Sequence, residues 1–103
     1  MDYGKPAAQF LSSAIPPDVD RYEGKKISIK GVVAAIDNDD PENVWLSLEQ
    51  GIRCNFREFE AMANEFSVGD EVIIDGIVRT GNDSGLVLDP AFSRDMTAPF
   101  EPE

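Results

Sequence analysis

The sequence contains no histidine and a single cysteine, Cys54. An internal disulfide is therefore excluded, and a zinc site or a histidine-based catalytic triad loses the residues it needs. Cations are scarce: 9 lysines and arginines stand against 20 aspartates and glutamates, for a formal net charge of −11 and a pI near 4.2. The average field repels phosphate backbones and anionic lipids, so binding to either has to work against the charge of the whole chain. That charge also keeps a small domain in solution, and by itself it selects no partner. No stretch approaches the ~18 apolar residues of a membrane span, and Met1-Asp2-Tyr3-Gly4-Lys5-Pro6 lacks the apolar centre of a signal peptide. The expected compartment is cytoplasmic, with export open if a signal has been removed ahead of Met1.

What remains is enough for one modest core. At 103 residues the chain has room for one domain, and its 42% hydrophobic content separates it from disordered sequences. Ala7, Phe10, Leu11, Ala14 and Ile15 follow Pro6 at spacings of three and four, which predicts a short amphipathic N-terminal helix stopped by Pro16-Pro17. Lys26 to Asp37 alternates and then turns continuously apolar after Gly31, as a long strand does when it bends around a barrel. Val44 to Leu48 and Ile52 to Phe56 alternate in turn, joined by a short Glu49-Gln50-Gly51 connection, and predict a hairpin. Phe59, Met62, Ala63 and Phe66 then fall on one helical stripe. Glu71 to Val78, with Gly76 in its middle, reads as a fourth strand, and Leu86-Val87-Leu88 as a fifth, after the loop Thr80 to Gly85.

Three strands, a helix and two strands, with bending glycines in the first and fourth strands, is the order of a mostly β, five-stranded OB-fold barrel. A small SH3-like barrel or an open sandwich shares the short strands; the amphipathic helix after the third strand favours the OB arrangement. The expected organisation is an N-terminal helix and connecting turn over residues 1–24, the barrel over 25–95, and a mobile tail over 96–103.

The chain also resembles the small bacterial OB-fold domains of the tRNA anticodon-binding-like, nucleic-acid-binding family. The matching residues are Arg21-Tyr22-Glu23-Gly24-Lys25-Lys26-Ile27 leading to Gly31-Val32-Val33, then Val44-Trp45-Leu46-Ser47-Leu48, Arg53-Cys54-Asn55-Phe56, Val68-Gly69-Asp70-Glu71-Val72 and Asp75-Gly76. They span about Phe10 to Leu88. Leu88-Asp89-Pro90-Ala91 departs from the cysteine-containing end of the last strand in that family. The resemblance implies the fold, and it places single-stranded nucleic acid among the ligands to consider.

OB barrels usually bind on the outer surface of their second and third strands, framed by two loops. If Leu48 pairs with Ile52, Ser47 opposes Arg53 and Trp45 opposes Asn55, with Arg57 one pleat further on. The candidate ligand-binding residues are therefore Trp45, Ser47, Arg53, Asn55 and Arg57: a tryptophan to stack a base or sugar, and two arginines for phosphates or other anions. Against this, Trp45 could lie under the N-terminal helix or a loop, and the arginines could pair with Glu49, Glu58 or other acids. Lys26, Ser28 and Lys30 are expected to face outward beside this surface, with Lys30 near Glu49 in register.

Asp37 to Asn43 carries four carboxylates but lacks the glycine and terminal glutamate spacing of a calcium loop, so it reads as a solvated turn stiffened by Pro41. Cys54 falls on the inward side as a small hydrophobe. No phosphate loop and no catalytic set is present, so neither enzyme activity nor a cofactor or metal is expected. Three functions stay open: an acidic protein-interaction or accessory module, a single-stranded nucleic-acid binder using the Trp45 face, and a binder of oligosaccharide or another small ligand. A monomer is expected rather than a dimer.

Overall fold

In the computed structural model, residues 6–58, 60–82, 85–94, 100 and 102 are described. The strands are β1 (Ala8–Leu11), β2 (Lys26–Asp37), β3 (Trp45–Leu48), β4 (Ile52–Asn55), β5 (Glu71–Asn82) and β6 (Gly85–Arg94), with one helical turn, α1 (Glu60–Ala63). Their order is β1-β2-β3-β4-β6-β5, and β5 pairs back onto β2. That last pairing closes β2 to β6 into a five-stranded OB-type barrel, in which β4 and β6 are parallel and the other barrel pairs antiparallel.

The inward positions are those the alternation predicts. Ile27 and Ile29 of β2, Leu46 and Leu48 of β3, Ile52 and Cys54 of β4, and Leu88 of β6 are all buried, and Phe56 fills the space beyond β4. Gly31 of β2 and Gly76 of β5 sit where no side chain fits. A Cβ on Gly31 would lie 2.7 Å from Ser12 Oγ and 2.8 Å from Ser12 Cβ; one on Gly76 would lie 2.7 Å from Leu88 Cβ. Gly76 opens the irregular stretch of the β5–β6 ladder, and β2 has its own irregularity between Val33 and Ala35.

The N-terminal segment is not a helix. Ala8–Leu11 is a strand parallel to β2, with Ala8 and Phe10 buried and Leu11 39% exposed. The apolar residues fit a period of two as well as one of 3.6, and the backbone decides between them. β3 pairs with the second half of β2 from Val33 onward, so the same edge at Ile27–Lys30 needs another partner, which β1 supplies. A helix of this length has little intrinsic stability to set against that gain. Ser12–Ala14 follows as a 3-10 turn, and Phe10 meets Tyr22 edge-on, 5.7 Å between ring centroids.

The helix after β4 is shorter than its stripe suggests. Ala63 is buried and Phe66 packs partly buried against the core, but Phe66 N–H already bonds back to Ala63 O, three residues earlier, and the helix ends. Phe59 and the side chain of Met62 lie outside the described residues. So do Asp83, Ser84, Asp95 and most of the tail expected to be mobile, 96–99, 101 and 103.

Candidate ligand-binding face

β3 and β4 pair in the register expected from the sequence: Leu48 with Ile52, Ser47 with Arg53, Leu46 with Cys54 and Trp45 with Asn55. On the other side of β3, Asp37 stands beside Trp45 and Ala35 beside Ser47. On the other side of β4, Val87 of β6 stands beside Arg53. The outer face is thus a shallow sheet, with Trp45 and Ser47 half-buried at its centre and Arg53 exposed.

The five candidate residues do not share one environment. The Arg53 guanidinium carbon lies over the Trp45 ring, 4.3 Å from its centroid, and among the described residues no carboxylate comes within ion-pair distance of it. Arg57 is committed elsewhere: its Nε donates to Asp89 Oδ1 at 2.5 Å, an ion pair in which the Asp89 side chain is 14% exposed. Asn55 does not face outward as expected. It is 3% exposed, its Nδ2 donates to Asn43 Oδ1 at 3.1 Å, and its Oδ1 accepts the Arg57 backbone N–H at 2.8 Å.

Asn55 is a fastener rather than a contact. Arg57 has φ +56°, a conformation costly for a residue with a side chain, and the Asn55 carboxamide holds the backbone there. Its other end reaches the loop between β2 and β3, where Asn43 Nδ2 donates to Asp40 Oδ2 at 3.1 Å and the Glu42 N–H to Asp40 Oδ1 at 2.9 Å. Those two hydrogen bonds hold the Asp40 carboxyl below its usual range, the Glu42 backbone contributing most. The Asp39 N–H likewise donates to Asp37 Oδ1 at 3.1 Å. The acidic loop is thus an ordered turn, its carboxylates used as caps for its own backbone.

A chain of hydrogen bonds therefore runs Asp40–Asn43–Asn55–Arg57–Asp89, joining the loop, the end of β4 and β6 along one border of the face. A depression of about 550 Å³ on this border is lined by Glu42, Asn43, Arg57, Glu58 and Pro90. The sequence pointed to Arg57 but not to Asp89, because the pairing of β4 with β6 is parallel and long-range. The alternation of Leu86 and Leu88 was the available signal: it sends Val87 and Asp89 outward.

Lys26, Ser28 and Lys30 do not extend the face. They lie in the half of β2 that pairs with β1 and β5. Ser28 is fully buried and donates to Asp75 Oδ1, Lys26 Nζ lies 3.9 Å from Asp75 Oδ2, and Lys30 pairs at 3.8 Å with Glu71 rather than Glu49. Cys54 is buried between Ile52 and Phe56, and burial pushes its thiol up to about 12, so it stays protonated and unreactive near neutral pH. Among the described residues no group of histidine, cysteine or carboxylate side chains could hold a metal ion, and no helix is long and apolar enough to cross a membrane.

Fold and surface together define a small OB-fold domain with a tryptophan-centred outer face. Its solved structural neighbours share the fold. A Klebsiella pneumoniae lipoprotein proposed to bind nucleic acid superposes with a TM-score of 0.58 at 20% identity, over 82% of each chain. An OBody bound to hen egg-white lysozyme superposes with a TM-score of 0.63 at 18% identity, over 94% of this chain and 97% of that one. Part of the Entamoeba histolytica asparaginyl-tRNA synthetase, captured with asparaginyl-adenylate, superposes with a TM-score of 0.57 at 13% identity, over 86% of this chain and 24% of that one. At such identities the likeness is one of fold. No family model matches the chain, and no curated protein matches its sequence.

Proposed function

We propose that this chain is a non-catalytic OB-fold binding domain that takes a protein partner on the outer face of β3 and β4, with Trp45 and Arg53 as its anchor. The carrying observation is the state of the cations on that face. Arg57 is neutralised by Asp89, Asp37 stands beside Trp45, and Arg53, which among the described residues has no carboxylate within ion-pair distance, lies on the indole.

A surface that tracks a nucleic-acid backbone needs several uncommitted cations. Each neutralised phosphate of a single strand contributes a slope of about −0.7 to log K against log salt, and strong electrostatic binding rests on many such contacts. On the β3–β4 pair Arg53 supplies about one, in a domain of charge −11. An aromatic–arginine pair on a half-buried sheet, rimmed by acids, is instead the composition of a protein-binding hot spot. The acidic rim favours a partner whose own rim is basic. The OBody bound to lysozyme supports the reading, as a neighbour of this fold captured on a protein.

A photo-crosslinking residue in place of Ser47, between Trp45 and Arg53, tests this. The expected adduct survives nuclease, disappears when Arg53→Glu is added, and is absent when the crosslinker replaces Val68 on the far loop. A nuclease-sensitive adduct would overturn the reading.

Single-stranded nucleic acid is the second reading. It is favoured by one observation, a half-exposed tryptophan with a guanidinium on the usual OB docking surface, and by the description of the Klebsiella neighbour. It predicts a nuclease-sensitive adduct at position 47.

A further inference from the structure

The end of the β3–β4 hairpin away from Trp45 carries a concavity of its own. Ile52 stands beside Leu48 on one side and Leu86 on the other, and Asn55, the partner of Trp45, lies at the far end of β4. At about 3.3 Å per residue, roughly 10 Å of sheet separates the two places.

Three segments meet there. The Ser12–Ala14 turn lies against the Glu49–Gly51 connection, the chain runs on through Ile15, Pro16 and Pro17 to Val19, and β6 starts at Gly85 beside Gly51. Between them is a cavity of about 280 Å³, close to the lower end of the ~300–1,000 Å³ of small-molecule sites.

Floor and rim differ in kind. Val19, Ile52 and Leu86, each 5% exposed or less, make an apolar floor where the barrel core reaches the surface. The rim carries Ser12, Ser13 and Gln50, and among the described residues none of these three side chains has a hydrogen-bond partner. The lining holds no aspartate, glutamate, lysine or arginine, in a chain of which 28% is charged.

The walls are set before any ligand arrives, which lowers the entropic cost of binding. Pro16 and Pro17 fix their own φ, and Pro16 O accepts the Val19 N–H at 3.1 Å. Gln50 is held at φ +73° in the hairpin connection. Gly85 has φ +133°, and a Cβ on it would lie 2.9 Å from Gly51 O, so the two loops meet backbone to backbone.

The rim chemistry selects the ligand. Each hydroxyl and the carboxamide can both donate and accept, as every hydroxyl of a sugar does, whereas an anion calls for donors alone and a cation for acceptors alone. A charged ligand would also give up its water for a cavity without a counter-charge. We propose that this cavity binds one neutral pyranose unit, its C–H face on Val19, Ile52 and Leu86 and its hydroxyls on Ser12, Ser13 and Gln50. The site is separate from the Trp45–Arg53 face and works independently of what that face binds.

The test titrates the full chain, with labelled isoleucine, leucine and valine methyls, against the methyl glycosides of glucose, mannose and galactose, with glucuronate as the charged comparison. At least one neutral glycoside is expected to shift the Val19, Ile52 and Leu86 methyls saturably, and glucuronate to bind about tenfold more weakly or worse. Ser13→Phe fills the cavity from an exposed position and should weaken binding by about tenfold as well. Gln50→Gly suits the positive φ but removes the carboxamide, and should weaken it several-fold. An unchanged Ile74 methyl in the core shows that each variant is folded. Arg53→Glu should leave sugar binding as it is, so failure of this site and failure of the β3–β4 face are read separately. The proposal is overturned if no glycoside gives saturable shifts at these three methyls, or if the shifts centre on Trp45 instead. It is overturned too if glucuronate binds as tightly as the neutral sugars, or if folded Ser13→Phe binds them as the parent does.

Discussion

The Arg53 guanidinium lies 4.3 Å above the Trp45 ring centroid, reached diagonally across the β3–β4 pair. The stack orders both side chains before any ligand arrives, which lowers the entropic cost of using them as an anchor. At an exposed site such a contact contributes about 0.5–1 kcal/mol. Arg53→Ala is expected to destabilise the fold by no more than that and to make Trp45, the chain's only tryptophan, more accessible to acrylamide quenching. Quenching unchanged by Arg53→Ala would show that the stack does not persist in solution.

Asn55 is expected to matter for stability and for the shape of the border rather than for contact. Asn55→Ala leaves the Arg57 N–H and Asn43 without their buried partner, at a cost of about 1–3 kcal/mol, read from denaturant midpoints at unchanged slope. Loss of the Arg57–Asp89 alignment should follow, visible as a shift of the Arg57 Nε resonance.

Gly31→Ala is expected to cost about 1–3 kcal/mol, because the new methyl would meet Ser12 at under 3 Å. Adding Ser12→Gly removes the clash and should recover most of the loss. A double variant no more stable than Gly31→Ala alone would place the strain elsewhere.

Burial of Cys54 makes stability fall in alkali. The unfolded thiol loses its proton near pH ~8.5, whereas in the fold it holds the proton to about 12. The unfolded state is therefore favoured by deprotonation first. The stability tied to this group is fully present below the unfolded value and is lost as pH rises toward 12, by ~1.4 kcal/mol per pH unit in that window. The difference between parent and Cys54→Ala should show this slope, and a thiol reagent should react at neutral pH only as fast as the chain opens.

The barrel was legible because its information is local. Ile27 and Ile29, Leu46 and Leu48, and Ile52 and Cys54 each declare an inward face within a few residues, and the hairpin register follows from the short Glu49–Gly51 turn. The N-terminal strand was not legible, since Ala7 to Ile15 satisfies two periods, and the edge of β2 that decides between them lies some twenty residues away. The site divided along the same line. Trp45, Ser47 and Arg53 sit where hairpin pairing puts them. The burial of Asn55 depends on the folded loop at Asn43, the neutralisation of Arg57 on Asp89, and the burial of Ser28 on Asp75; each is a long-range pairing that composition does not encode.

The most direct test of the protein-binding reading is Trp45 fluorescence during titration with a mixed-sequence single-stranded oligonucleotide at low salt, where phosphate attraction is strongest. With Arg57 held by Asp89 and Asp37 beside Trp45, the expected result is no change in intensity or emission maximum. Quenching that appears at low salt, disappears at high salt and is weakened by Arg53→Ala would contradict it and make the face a nucleic-acid interface.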